Sequence, residues 1–325
     1  MLKLGDINLD VPFYQAPLSG YSDYPMRKLA YSFGAPLTFA GVMLAKSAAN
    51  PKVLKKPAFR PQDREHPIGA QILGNDPKVM ALAAKELVNV GYDLIDLNFA
   101  YPAPKVIRRH RGGFLLKQPQ RAIDIYRSVR DAVNCPVIVK LRIGFDNKPH
   151  SRENFWQIVS DLAADGADAL TIHGRTVRQR FKDQADWNIL TEIKSQFPNT
   201  IIIGSGDLFN AETTAEKLRT SNLDGVVLAR GAIGNPWIFS QLKTLLKGHP
   251  IPCGPSLNEQ AQTILTHFNW VSNWYETTKA IRFFRKFLVR YCKLHPDRKK
   301  VQHHLLAAQD HNQLHAAITK WYQIN

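Results

Sequence analysis

Residues 94–102, Leu94-Ile95-Asp96-Leu97-Asn98-Phe99-Ala100-Tyr101-Pro102, are a short β-rich apolar run that closes on polar and turn-forming residues. Runs of this kind recur at Phe13–Ser19, Leu37–Val42, Ile68–Leu73, Leu94–Phe99, Pro136–Arg142, Ala169–Gly174, Ile201–Gly206 and Gly225–Arg230. Helix-like stretches lie between them. In Asp76–Val90, the residues Val79, Leu82, Ala83, Leu87 and Val90 fall at 3–4 spacing, and Ser151–Ala164 opens on a serine suited to cap a helix. Eight strand–helix units at intervals of a few tens of residues predict an α/β fold, a (β/α)8 TIM barrel. A doubly wound sheet alternates in the same way, but eight consecutive units with polar groups at nearly every strand end favour the barrel.

The pattern changes after Trp237–Lys247. Gly248-His249-Pro250-Ile251-Pro252-Cys253-Gly254-Pro255 packs three prolines and two glycines into eight residues, which marks a boundary. Beyond it the sequence reads as helices only, so the expected organisation is a barrel domain over residues 1–247 and a small all-helical domain over 256–325. In Lys279–Lys293, the cations Arg282, Lys286, Arg290 and Lys293 share one helical face, and Phe284, Phe287, Leu288 and Tyr291 form an apolar stripe on another. The basic face is expected to turn outward.

The chain has 325 residues, enough for such a barrel plus a second domain. Lys and Arg total 43 against 27 acids, a net charge of +16. The excess is uneven. Residues 241–325 hold 12 basic and 4 acidic residues against 31 and 23 before them, so the last quarter carries half of it. An imbalance of that size favours a polyanionic partner, because each neutralised phosphate releases condensed counterions. No apolar run approaches the ~20 residues needed to span a bilayer, and Met1–Asp10 lacks the layout of a signal peptide. A cytoplasmic monomer without membrane contact is the expectation. Cys135, Cys253 and Cys292 are odd in number and widely spaced, which predicts reduced thiols and no metal site.

In a barrel, side chains at the C-terminal strand ends meet at one mouth. The first strand ends in Pro17, Leu18, Ser19 and Gly20, which let bare backbone approach a flat ligand. The third supplies Gln71, the fourth Asn98, the fifth Lys140 and Arg142, and the sixth His173 and Arg175. An amide, an ammonium, an imidazole and guanidinium groups around one cavity suit a planar, electron-accepting heterocycle with an anionic reduced form. Two glycine-bearing turns follow strands seven and eight, Gly204-Ser205-Gly206-Asp207 and Ala229-Arg230-Gly231. Backbone N–H groups in such turns bind phosphate. A phosphate beside a flat ring and a lysine points to FMN.

The same positions resemble the dihydrouridine synthase family from about residue 10 to 300. The match includes Ala16-Pro17-Leu18-Ser19-Gly20, Gln71, Asp96-Leu97-Asn98, Lys140-Leu141-Arg142, His173-Gly174-Arg175-Thr176, Gly204-Ser205-Gly206-Asp207 and the run from Ala229 to Trp237. Arg285-Lys286 resembles the family's helical RNA-binding domain. The resemblance implies an FMN-dependent reduction of uridine to dihydrouridine in tRNA or another structured RNA, with NADPH or NADH as reductant. It implies cofactor contacts from Pro17, Leu18, Gln71, Lys140, His173, Ser205, Gly206, Asp207, Ala229, Arg230 and Gly231. Asn98 and Arg175, with His173, would hold an extruded uracil, and Arg282, Lys286 and Arg290 would grip the RNA.

Three positions depart from the family pattern. Tyr101 stands where the family has its proton-donating cysteine, Ala100 replaces the preceding glycine, and Gly41 or Val42 stands where the family has an acid after strand two. A thiol titrates near 8.5 and a phenol near 10, so both are protonated at neutral pH, but the phenol is the weaker and the larger acid. Three readings are open: uridine reduction with Tyr101 or a loop residue as acid, beside Lys140 and His173; different flavin chemistry on RNA or on a small pyrimidine-like substrate; or binding of RNA and FMN without turnover.

Overall fold

Eight parallel strands surround one axis: β1 (Phe13–Gln15), β2 (Thr38–Phe39), β3 (Ile68–Leu73), β4 (Leu94–Asn98), β5 (Val137–Arg142), β6 (Ala169–His173), β7 (Ile202–Ser205) and β8 (Gly225–Leu228). This computed structural model describes residues 1–62, 65–251 and 254–322; Pro252 and Cys253 of the expected linker and the last three residues lie outside it. From β2 to β8 each strand pairs with the next in chain order, β8 pairs with β1, and β1 meets β2 through a Gln15 N–H bond to Leu37 O at 3.1 Å rather than a ladder. The fold is the TIM barrel that the strand–helix alternation predicts, followed by helices.

Period-two alternation sorts the side chains. In β5, Val137, Val139 and Leu141 join the layer between strands and outer helices, whereas Ile138 packs inside the barrel with Tyr14, Phe39, Ile203 and Val227. Register then brings the polar strand ends level. Gln71 lies opposite Asp96, Asn98 opposite Lys140, and His173 is opposite both Arg142 and Ser205.

The first two strands are shorter than the apolar runs suggest. Ala16 still donates to Leu228 O, but Pro17 has no N–H to continue the ladder. The outer helices start on side-chain caps or prolines. Asp23 caps α1 (Tyr24–Ser32) and Asp76 caps α2 (Pro77–Asn89), while α3 (Pro119–Arg130) opens on Pro119. Helix α4 (Pro149–Ala164) opens two residues before the serine expected to cap it. Ser151 is buried, and its hydroxyl accepts from the N–H groups of Phe145 and Asp146 at 2.8 and 3.0 Å, bracing the loop after β5. Helices α5 (Trp187–Gln196), α6 (Ala211–Ser221) and α7 (Trp237–Leu246) complete the ring.

An antiparallel pair, Leu2–Leu4 with Ile7–Leu9, precedes β1. Leu2, Leu4 and Leu9 are buried in one cluster with Leu37, Leu94 and Ala169 at the strand starts, so the pair stoppers the N-terminal end of the barrel.

The last helices are α8 (Leu257–Trp274), α9 (Thr277–Tyr291), α10 (Arg298–Ala307) and α11 (His311–Tyr322). A reciprocal Ser256–Glu259 capping box starts α8. Phe284, Phe287, Leu288 and Tyr291 are buried as their spacing predicts, in a cluster that takes in Met26 and Leu29 of α1. The basic face of α9 divides. Arg282 and Lys293 are exposed, but Lys286 and Arg290 are partly covered against the barrel. The reason is the seam itself, where Tyr21 packs edge-on to Phe287 with centroids 5.4 Å apart and Tyr275 donates to Asp23 Oδ2 at 3.2 Å. Among the described residues no helix is long and apolar enough to cross a membrane, and no group of three His, Cys, Asp or Glu could hold a metal ion.

Candidate functional site

A cavity of about 360 Å³ opens at the C-terminal mouth of the barrel. Of the site residues proposed from sequence, only Arg175, Arg282 and Lys286 do not line it.

Its floor is a chain of buried amides. Asn98 Oδ1 accepts the backbone N–H groups of Ala100 and Tyr101 at 3.1 and 2.9 Å. Asn98 Nδ2 donates to Gln71 Oε1 at 2.7 Å, and Gln71 Nε2 donates to Asp96 Oδ2 at 2.7 Å. Backbone N–H groups can only donate, so they fix which way each amide points. Burial raises the Asp96 carboxyl to about 6 against the opposing pull of Lys140 and Gln71. Lys140 is lowered to about 8, by burial first and by Arg142 last, with Asp96 acting the other way. Among the described residues the Lys140 ammonium has no hydrogen-bond partner, so its charge is available to a ligand.

His173 lies beside them. Its Nδ1 is 3.3 Å from Ser205 Oγ and its Nε2 is 3.4 Å from Arg175 Nη1. A guanidinium only donates, so Nε2 accepts and Nδ1 carries the hydrogen. Burial, then Arg142, Lys140, Arg175 and Arg230, push this imidazole far below its usual range, and the ring is neutral at pH 7.

The turns after β7 and β8 form one wall. Gly206 has φ +130°, and Asp207 follows in the left-handed region at φ +57°. A Cβ on Gly231 would overlap the Leu208 carbonyl oxygen, so only glycine lets the two turns meet. Among the described residues the N–H groups of Gly206, Asp207, Arg230 and Gly231 have no acceptor. Unpaired donors beside an arginine are what a phosphate monoester requires. This donor set fits the phosphate of a flavin nucleotide, and Lys140 and Gln71 line the same cavity.

The rim is cationic and aromatic. The Arg230 guanidinium lies 4.2 Å from the Phe181 ring centroid and 5.2 Å from that of Phe209, and its Nη2 is 3.5 Å from Asp207 Oδ1. Both phenylalanines are exposed, and sequence reasoning passed over them because single apolar residues in loops carry no periodic signal. Arg142 is buried and donates to the carbonyls of Ala100, Thr176 and Arg180. Arg290 reaches the cavity from α9 and makes no ion pair among the described residues. Arg175 is buried and does not line the cavity. Its guanidinium donates to the carbonyls of Lys182 and Asp183 and to Asp207 Oδ2 at 2.6 Å, tying the loop after β6 to the turn after β7. Tyr101 is half-buried at the cavity edge, its backbone held by Asn98 on one side and by Gly113 N–H on the other.

A family model described as "Dihydrouridine synthase (Dus)" matches residues 14–323. The "tRNA-dihydrouridine synthase B" of Pasteurella multocida is 34% identical over 294 residues, covering 89% of this chain and 86% of that protein. A "Probable tRNA-dihydrouridine synthase" of Rickettsia conorii is 32% identical over 293 residues, covering 90% and 87%. Among solved structures, histamine dehydrogenase from Rhizobium sp. 4-9 superposes on 82% of this chain with a TM-score of 0.57 at 15% identity. A 2-naphthoyl-CoA reductase covers 77% with a TM-score of 0.59 at 12% identity. The chain spans about half the length of either solved chain, 50% and 52%, and the likeness is one of fold.

Proposed function

The chain belongs to the dihydrouridine synthase family, and from that premise we propose that it is an FMN-dependent oxidoreductase that uses NAD(P)H to reduce uridine in tRNA to dihydrouridine. The observation that carries this reading is the pairing, in one basic cavity, of Lys140 with two glycine turns, the ammonium and the turn N–H groups being without partners among the described residues. Bound there, FMN would supply the hydride chemistry that reduction of a uracil ring needs.

The protein's own groups do the rest. Lys140 places positive charge at the floor, matched to the anionic reduced flavin. Gly206, Gly231 and Arg230 would hold the cofactor phosphate, and Pro17 and Leu18 would present backbone to its ring. His173 stays neutral, so it accepts and donates hydrogen bonds without adding charge to a crowded cationic site. Asn98 keeps one N–H beyond the bond to Gln71 for a uracil carbonyl, and the buried Arg142 guanidinium adds a donor beside it. Arg175 fixes the Asp207 turn and the loop bearing Phe181. Tyr101, which lines the cavity, is the acid that delivers the proton to C5.

Outside the mouth, Arg282 and Lys293 meet the RNA backbone, and Arg290 meets the strand where it enters. The test is mass spectrometry of nucleosides from uridine-rich tRNA incubated with FMN-loaded protein and NADPH. A gain of about two mass units on uridine, the two hydrogens of a flavin reduction, is the expected result. No gain with a bound and reducible flavin would reject uridine reduction.

A further inference from the structure

The amide chain beneath the cavity runs in one direction only. Two backbone N–H groups at Ala100 and Tyr101 oblige Asn98 to present its oxygen to them and its nitrogen to Gln71. Gln71 must then offer oxygen to Asn98 and nitrogen to whatever stands beyond. That group is Asp96, buried at 2% exposure, with one carboxylate oxygen on Gln71 Nε2 and the other without a partner among the described residues. An acceptor is the terminus the chain requires, and a carboxylate supplies one at either oxygen without competing as a donor when ionised. The alternating register of β3 and β4, with Gln71 opposite Asp96, holds the three side chains in line.

We propose that Asp96 is a positioning residue, the terminal acceptor of a one-way relay through Gln71 and Asn98 that fixes the peptide of Tyr101. It touches no substrate. Its contribution is to set the orientation of Gln71 and Asn98 and so the entry of the Tyr101 segment into the mouth. The consequence for turnover rests on the function proposed above, but the order of the segment does not, and the two can fail separately.

The distinguishing experiment reverses the relay in the full-length chain. Asn98→Asp keeps an acceptor for the Ala100 and Tyr101 N–H groups but cannot donate to Gln71, so Gln71 faces an acceptor on both sides. Asp96→Asn keeps an acceptor for Gln71. The double variant Asp96→Asn/Asn98→Asp satisfies every member with Gln71 turned about. Its amide nitrogen then donates to the carboxylate introduced at position 98, and its oxygen accepts from the amide introduced at position 96.

The readout is tryptic cleavage at Lys105, Arg108 and Arg109, exposed sites a few residues beyond Tyr101, followed by peptide mass spectrometry in the absence of cofactor. Thermal melting of each variant confirms that it is folded. Cleavage in Asn98→Asp should rise roughly tenfold, the scale of one lost buried hydrogen bond. Asp96→Asn should stay within about twofold of the wild type, and the double variant should return most of the way, a coupling expected of residues in one network. The double variant cleaving as fast as Asn98→Asp, or Asn98→Asp cleaving no faster than wild type, overturns the relay. Asp96→Leu, which removes the acceptor without adding a donor, should match Asn98→Asp, and protection in that variant overturns it as well. Loss of uridine reduction with wild-type cleavage rates would count against Asp96 as a positioning group while leaving the proposed reaction in place.

Discussion

The Lys286 ammonium in α9 donates to the carbonyl oxygen of Gly20, in the loop that follows the first barrel strand, and lies 3.1 Å from the centroid of the Phe283 ring. Burial lowers it to about 8, with Asp23 in the same loop pulling the other way. Pro17, Leu18 and Tyr21 of that loop line the cavity, so the C-terminal helices hold one wall of the site through a lysine that sequence reasoning assigned to solvent.

Lys286→Glu and Arg282→Glu should therefore behave differently, although both reverse one charge on the same helix. The first sets a carboxylate against a carbonyl and an aromatic face, and its melting temperature should fall. Arg282 is exposed and makes no ion pair among the described residues. Its reversal should leave melting unchanged, weaken tRNA binding, and reduce the salt slope by about one. Equal melting of the two variants would contradict this division of the basic face.

Tyr101→Phe keeps the ring and deletes the hydroxyl that carries the proton. Dihydrouridine formation should fall by about a hundredfold or more, the usual worth of a positioned acid. Anaerobic stopped-flow should show flavin reduction by NADPH at the wild-type rate. Undiminished product formation would remove Tyr101 from the chemistry.

The charge on Lys140 is present below about 8 and lost as pH rises through it. Turnover should decline over that range with flavin still bound. Lys140→Arg, whose guanidinium holds its proton, should abolish the alkaline limb even if the maximum is lower. A limb that survives in the arginine variant belongs to another group.

Asp96 gives a stability signal of the opposite sense to an ordinary ion-paired acid. Its carboxyl is raised from 3.8 to about 6, so the folded state holds the proton more tightly than the unfolded chain. Stability from this group is full below about 4 and declines as pH climbs to 6. Asp96→Asn removes that dependence, so melting curves from pH 4 to 6 should show the wild type losing ground to the variant. Parallel curves would place the carboxyl outside this range.

Gly231→Ala should lower FMN affinity by about 1–3 kcal/mol, the cost of forcing a methyl into a closed contact. The Cβ would meet the Leu208 carbonyl and push the two phosphate turns apart. Fluorescence titration of apoprotein with FMN measures it, and unaltered affinity would move the phosphate elsewhere.

The barrel was legible because its signal is repeated. Eight apolar runs with polar ends leave little choice of topology, and the residues at those ends converge because parallel register makes them converge. Gln71, Asn98, Lys140 and His173 could be found this way. Arg175 could not be placed, since a strand-end guanidinium reads the same whether it faces a ligand or ties down Lys182, Asp183 and Asp207. Lys286 and Arg290 show the same blindness on a helix. Spacing assigns them to one face with Arg282, but not to the partner that covers half of that face. The N-terminal pair was within reach and overlooked. Leu2, Leu4, Ile7 and Leu9 flank Gly5-Asp6, which is a hairpin pattern on two very short strands.

The packed barrel interior, with Tyr14, Phe39, Ile138, Ile203 and Val227 above the leucine stopper, leaves no route from the mouth to the far end. With the far end of the barrel sealed, whatever enters at the mouth leaves by the same door, and a dinucleotide reductant and an RNA loop are each too large to pass the other there. On the proposed function the two half-reactions take turns. Initial-rate plots against either reactant should run parallel, and an excess of one should slow the enzyme by keeping the other waiting outside.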